Sequence, residues 1–343
     1  MTYKYRELNQ DIFIKLERRL GRKKLGKRLQ KQVDRSSIGM NSGKFKIYWG
    51  NINPLYTILK GILKSVGLFN RGKRNALDYR IEKVDITIPD LSIAFDQFRI
   101  LHLSDLHAEG ITDKGRRLME TIREMDYDVC VMTGDFRSSI NGDYTMACRS
   151  MERLMEAIQC EFGVYGVLGN HDFIEMVPLL ENMGIRILLN EAVRIQKEDD
   201  AIWIAGVDDP YLYQCHDIHN ALKKIPESAF SILLAHSPNI IKEAAQYPID
   251  YYLCGHTHGG QICLPNGIPV ITNAACSRKY VMGPWRYNNL SGYTSRGTGA
   301  AGLPVRFQCP PEITLHRLVR GQKKNGAGLM AQGARPKDEE TWF

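Results

Sequence analysis

The chain has 343 residues, 43% hydrophobic and 24% charged, a globular composition that excludes a fibrous, low-complexity or wholly disordered polypeptide. Its formal net charge of +8 is concentrated at one end: residues 1–80 carry 20 Lys and Arg against 5 Asp and Glu, and the rest carry 26 against 33. A main body that is itself net acidic argues against nucleic acid as the partner, since nucleic-acid binding needs a basic surface with interleaved aromatics.

Residues 1–80 read as a basic amphipathic extension. A first helix is expected over 5–35, with apolar positions at Leu8, Ile12, Leu16 and Leu20, and RSSIGMNSGK ends it. A second, over 54–69, places Leu55, Leu59, Ile62, Val66 and Phe69 on one face with Ile58 and Leu63 beside it, and RGKR follows at Arg71–Arg74. Apolar face, lysines and basic cluster together suit a helix lying on an anionic membrane, so residues 54–74 are the expected membrane contact. The alternative is a helix packed on the main domain. No uncharged apolar run reaches the roughly 18 residues of a membrane span, and the N-terminus lacks a signal-peptide core. The expected location is therefore cytoplasmic, peripheral on the inner face of the cell membrane. Removing residues 1–75 is expected to spare a soluble substrate and impair a lipid one.

From residue 81 the texture becomes short apolar runs closing on polar or glycine-rich residues. Strands are expected over 82–88, 99–104, 128–133, 163–168, 193–197, 201–206, 229–234, 250–254, 268–272 and 312–318, with helices near 113–125, 144–160, 173–183, 217–224 and 238–246. The class is α/β (α+β), with one domain over 81–320 and a disordered tail over 321–343. The eight cysteines form no CxxC pair and read as buried reduced thiols.

Five motifs gather the ligand-type side chains, each behind an expected strand: SDLH (104–107), TGD (133–135), GNHD (169–172), AHSP (235–238) and GHTHGG (255–260). An extended chain puts Asp105 and His107 on one side, and His256 and His258 repeat the pattern. With Asp135, Asn170 and His236 they make seven nitrogen or oxygen ligands, too many for one ion and suited to two sharing a carboxylate, Asp135 being the natural bridge. Imidazole and carboxylate donors without cysteine favour Mn, Fe, Zn or Co over Ca or Mg. His102, His216, His219 and His316 stand outside the motifs and read as structural or surface residues.

The five motifs in this order resemble the calcineurin-like metallophosphoesterases, across about residues 97–320. The resemblance implies a two-sheet sandwich flanked by helices, a first metal on Asp105, His107 and His258, a second on Asn170, His236 and His256, and Asp135 bridging both. It implies in-line attack by a hydroxide shared by the ions, with His171 stabilising the transition state or protonating the leaving oxygen and Asp172 orienting a neighbour. The stretch GTGAAGLPVRFQCPPEITLHRL, together with GHTHGGQ, resembles a bacterial branch holding membrane-associated phosphodiesterases and a UDP-2,3-diacylglucosamine pyrophosphatase of lipid A synthesis. That pyrophosphatase reaction is the best expectation; alternatives are a phosphodiesterase on soluble nucleotides or phospholipid head groups, and a non-catalytic membrane-surface scaffold. Arg278, Lys279, Arg286, Arg296 and Arg306 are candidate phosphate clamps, Arg278 and Arg306 foremost.

Overall fold

The computed structural model describes residues 10–37, 54–270, 276–321 and 330–332. The short runs of Val, Ile, Leu and Cys extend as strands because such side chains fit a pleated surface buried on both faces. A seven-stranded sheet is built from β1 (Arg80–Ile88), β2 (Arg99–Leu103), β3 (Val129–Met132), β4 (Val164–Gly166), β5 (Ile185–Ile187), β12 (Glu312–Arg320) and β13 (Met330–Gln332), in the order β13-β1-β12-β2-β3-β4-β5. A six-stranded sheet uses β6 (Glu191–Lys197), β7 (Asp200–Gly206), β8 (Ser231–Leu234), β9 (Tyr251–Cys254), β10 (Gly283–Tyr287) and β11 (Leu290–Thr294), in the order β10-β11-β9-β8-β7-β6.

The two sheets face each other. Val84, Ile86, Ile100, Val129 and Val131 of the first share one buried core with Ile202, Ile204, Ile232, Leu234, Tyr251 and Leu253 of the second. Because strand side chains alternate, the intervening residues Leu101, Leu103, Cys130 and Met132 face outward. They are covered by α5 (Arg116–Arg123), α6 (Thr145–Met155) and α7 (Val177–Asn182), through Leu118, Ile122, Met151 and Leu180. The far face of the second sheet is covered by α8 (Ile218–Leu222) and α9 (Ile241–Ala244). This is the expected helix-flanked two-sheet sandwich. The parallel strands β2, β3 and β4 of one sheet and β8 and β9 of the other bring their carboxyl ends to one edge, where all five motifs lie.

Several elements depart from expectation. Residues 268–270 are not a sheet strand: the Leu264–Gly267 turn folds them back on 262–264, with Val270 N–H donating to Ile262 O at 3.0 Å, and 271–272 lie outside the described residues. Strands β10 and β11 escape pattern reading because they carry Pro284 and Gly292. Pro284 sits on an edge strand, where no ladder donor is needed. Gly292 leaves room for Trp285, whose ring would lie 2.4 Å from any Cβ there. Of the expected disordered tail, Met330–Gln332 pair antiparallel with β1; 322–329 and 333–343 lie outside the described residues.

The basic stretch forms α1 (Gln10–Leu20) and α2 (Arg22–Ser37), separated at Gly21, whose φ of 79° interrupts what reads as one helix. Leu8 lies outside the described residues, but Leu16, Leu20 and Leu25 are buried in the same core as the outer face of the first sheet. Basic side chains of both helices end on the main domain: Arg19 pairs with Glu181 and Glu191, Lys24 with Asp217, and Lys27 and Lys31 donate to the carbonyls of Gln214 and Leu212. Farther on, α3 (Pro54–Ser65) and α4 (Phe69–Asn75) bury Leu63, with Leu59 and Phe69 half-buried, against Leu303, Val305 and Phe307. The expected single apolar face is thus split, and Ile58, Ile62 and Val66 stay 60%, 53% and 58% exposed. Among the described residues no helix is long and apolar enough to cross a membrane.

Candidate metal centre

Each motif begins where a buried strand ends and the backbone must turn at once. Five ligand candidates sit in left-handed backbone: Asp105 (φ 50°), His107 (42°), Asp135 (55°), His256 (72°) and His258 (51°). Such conformations cost a non-glycine residue about 1–3 kcal/mol and cluster at functional sites. The neighbouring glycines serve close approach. A Cβ on Gly169 would lie 2.2 Å from Asp135 Oδ1, and one on Gly255 1.9 Å from Ser104 Oγ and 2.2 Å from Asp105 Oδ2.

The seven expected ligands converge. Asp105, His107 and His258 form one group, and Asp135, His236 and His256 another, the ligand atoms of each lying within 4.8 Å of one another. Asp135 Oδ2 lies between them, 3.8 Å from His107 Nε2 and 3.4 Å from His236 Nε2. Asn170 Oδ1 is 3.0 Å from His236 Nε2. His171 also approaches Asp135 Oδ2, at 3.8 Å, so geometry admits it as a ligand as well as a proton donor. It is the most open imidazole of the cluster, and its Nδ1 is 2.7 Å from Ser138 O.

The donor chemistry fits cations. His107 Nδ1 lies 2.8 Å from Arg137 O and His236 Nδ1 2.7 Å from Thr133 O, contacts that place the ring proton on Nδ1 and leave Nε2 as a lone pair. Those lone pairs then face other imidazole nitrogens, His107 to His258 at 3.1 Å and His236 to His256 at 3.2 Å, an arrangement that a positive ion between the nitrogens would stabilise. The field agrees. Burial disfavours a charged His236, yet Asp135 and Asp105 outweigh it and raise its pKa to about 10, so a cation at Nε2 would take the place of a proton there. Burial likewise opposes the Asp135 carboxylate, but His171, His236 and His107 hold its pKa well below the usual range. Burial, reinforced by His107 and Arg306, keeps His258 neutral.

Asp172 organises the loop. Its carboxylate accepts N–H bonds from Asp135 and Gly169 at 2.8 Å each, Phe136 at 2.9 Å and Arg137 at 3.3 Å, while burial and the Asp135 charge push its pKa up to about 6. Asp105 is backed by a buried chain: Ser104 Oγ donates to it at 2.7 Å, Thr133 Oγ1 donates to Ser104 at 2.7 Å, and His102 Nε2 is 2.9 Å from Thr133 Oγ1. His102 and His316 are thus buried structural residues behind the site.

Of the expected phosphate clamps, Arg306 needs correction. It is fully buried, and its guanidinium donates to the carbonyls of Gly299, Gly297, Arg296, Cys309 and His258, so it braces the His258 loop and offers no surface to a ligand. Arg296 pairs with Glu312 at 2.7 Å and with Glu82. Arg278 is exposed, three residues before Val281, whose carbonyl accepts from Thr257 Oγ1 at 2.6 Å. Sequence reading passed over Tyr211, whose half-buried ring lies 4.2 Å from that of His256, because a tyrosine in a loop carries no spacing signal. All eight cysteines are free thiols, six of them buried.

Strand-end Asp, His and Asn clusters at one edge of a two-sheet sandwich define a protein with a candidate metal centre of hydrolytic type. The sequence model described as Calcineurin-like phosphoesterase matches residues 98–260. Uncharacterized metallophosphoesterase YkoQ of Bacillus subtilis (strain 168) is 30% identical over 77% of this chain and 100% of its own length. YkuE of the same organism, also named an uncharacterized metallophosphoesterase, is 32% identical over 70% of this chain and 86% of its own. Phosphodiesterase YaeI of Escherichia coli (strain K12) is 28% identical over 65% and 82%. The chain belongs to the calcineurin-like metallophosphoesterase family and is a metal-dependent phosphoric ester hydrolase.

Proposed function

We propose that the chain hydrolyses a phosphodiester or pyrophosphate bond of a lipid-linked substrate at an anionic membrane surface, with UDP-2,3-diacylglucosamine the first candidate. The observation that carries the chemistry is the pair of ligand groups meeting at Asp135. Asp105, His107 and His258 would hold one divalent ion, Asn170, His236 and His256 a second, and Asp135 would serve both; Mn, Fe, Zn and Co suit these donors. When bound, such ions activate water and neutralise charge on the phosphoryl oxygens. His171, anchored through Nδ1 to Ser138 O, would give a proton from Nε2 to the leaving oxygen as the doubly protonated imidazolium, with the Asp135 carboxylate 3.8 Å away as its counter-charge. Asp172 keeps the Asp135 and His171 loops in register through its four backbone donors.

The membrane reading draws on α3 and α4. Ile58, Ile62 and Val66 recur every four residues, so they line one exposed stripe, flanked by exposed Lys60, Lys64, Arg71 and Arg74. Anionic lipid complements that surface. A second reading, a phosphodiesterase of soluble nucleotides, draws on Tyr211, which offers an aromatic face beside His256.

The test is metal-reconstituted hydrolysis of UDP-2,3-diacylglucosamine in mixed micelles, of bis(p-nitrophenyl) phosphate and of a nucleotide panel, with Asp135→Ala as blank. Much faster turnover of the lipid, releasing UMP, supports the lipid-pyrophosphate reading. Turnover of soluble diesters alone removes it and leaves the phosphodiesterase.

A further inference from the structure

Outside the metal cluster, the deepest charge sits where an accessory extension was expected. Arg28 of α2 is 0% exposed. Its Nη1 donates to Asp208 at 2.7 Å, a carboxylate equally buried, and its Nη2 donates to the main-chain oxygen of Asp172 at 2.9 Å. Its Nε donates to Gln32 at 3.3 Å, and the Tyr213 ring lies 3.6 Å away, face-on to the guanidinium. One turn later Gln32 Oε1 accepts from Ile174 N–H at 3.0 Å, and Gln32 Nε2 donates to Glu175 at 2.8 Å. Helix α2 therefore grips the chain at 172, 174 and 175, at the last residue of the GNHD motif and just beyond it.

The two ends of this guanidinium reach different halves of the sandwich. Asp172 closes the loop after β4 of the first sheet, which carries Asn170 and His171 and holds Asp135 by hydrogen bonds. Asp208 opens the loop after β7 of the second. Its Oδ1 also accepts from Asp209 N–H at 2.8 Å, and Asp209 in turn accepts from the N–H groups of Tyr211, Leu212 and Tyr213 at 3.1, 2.7 and 2.7 Å. That places Tyr211 against His256. A buried ion pair adds little net stability over apolar packing, whereas its directional bonds fix geometry.

We propose that α2 is a clamp built into the active site and that Arg28 is its positioning residue, holding the Asn170–Asp172 loop and the Asp208–Tyr213 loop in the relative placement the metal ligands require. The proposal rests on the phosphoesterase reading of the site. It also reverses the expectation that the N-terminal residues are dispensable for soluble substrates.

The test compares the full chain with Arg28→Lys, Arg28→Met and the double variant Arg28→Met with Asp208→Asn. The double variant removes both buried charges and so avoids the unpaired Asp208 that could unfold Arg28→Met. Thermal unfolding without metal, Mn²⁺ binding by electron paramagnetic resonance, and kcat and KM on bis(p-nitrophenyl) phosphate are read for each. The double variant is expected to fold yet bind Mn²⁺ or turn over about 10-fold less well, the scale seen when groups supporting metal ligands are lost, with KM little changed. Arg28→Lys keeps the charge but loses the fork that reaches both partners, and is expected to share the defect. Parental Mn²⁺ affinity and kcat in a folded double variant, or in Arg28→Lys, would overturn the clamp. A parent chain that binds Mn²⁺ but hydrolyses no phosphoester would instead overturn the phosphoesterase reading, and the Mn²⁺ titration would still decide the clamp.

Discussion

Helices α2 and α3 come from the same basic end of the chain, yet their charges face opposite environments. In α2, Arg28 is fully enclosed and Lys24, Lys27 and Lys31 reach acidic or carbonyl groups of the main domain. In α3, Lys60 and Lys64 remain exposed beside Ile58 and Ile62. The difference teaches that an excess of positive charge does not name its partner: for α2 the partner is the acidic domain of the same chain, and for α3 the proposed one is an anionic membrane surface.

Four measurements would break or sharpen that contrast. The largest effect is expected for Asp135→Ala, which should lower turnover of soluble and lipid substrates alike by several orders of magnitude, since both would be cleaved at one centre. Removing residues 1–37 should come next. It uncovers the core around Leu16, Leu20 and Leu25, where loss of each large buried side chain costs about 2–5 kcal/mol, so thermal unfolding should shift sharply down and soluble-diester turnover should fall with it. Retention of both would place α2 beside α3 as an accessory.

A smaller and more selective effect is expected for α3. Ile62→Asp combined with Lys64→Glu should leave unfolding temperature and soluble-diester turnover close to parental, because both positions are exposed, while reducing sedimentation with anionic phosphatidylglycerol vesicles several-fold. Unchanged vesicle binding would end the membrane reading of α3. The smallest effect should be indifferent to both helices. Burial lowers the pKa of His102 to about 3, so the folded protein binds this proton less readily than the unfolded chain, whose histidine titrates near 6.5. The His102 contribution to stability is then intact above pH 6.5 and is lost progressively as pH falls toward 3. Denaturant melts over that range should show a shallower acid decline in His102→Gln than in the parent, and the same decline in α3 variants.

Much of the site was legible in one dimension because its chemistry is written in rare residue types placed directly after strands. Asp105, His107, Asp135, Asn170, His236, His256 and His258 all meet where the motifs imply. Arg306 misled because a loop arginine reads as a ligand clamp, whereas here the carbonyls of a tightly folded loop use up its donors. Arg28 was invisible for the opposite reason. It lies in a run of similar basic residues, and nothing local distinguishes the one that will be enclosed.

The sequence by itself determined the candidate ligands and the strands that end at them, because side-chain chemistry and short apolar runs are local properties of the chain, and the two-sheet class followed from the family resemblance those motifs carry. Only the tertiary structure decided which side of α3 is covered, that α2 packs against the loop carrying Asn170 and His171, and that one guanidinium spans loops from both sheets. Asp172 and Asp208 come within reach of Arg28 only after the sandwich has closed, and a charge becomes a buried clamp only when both partners exclude water from it.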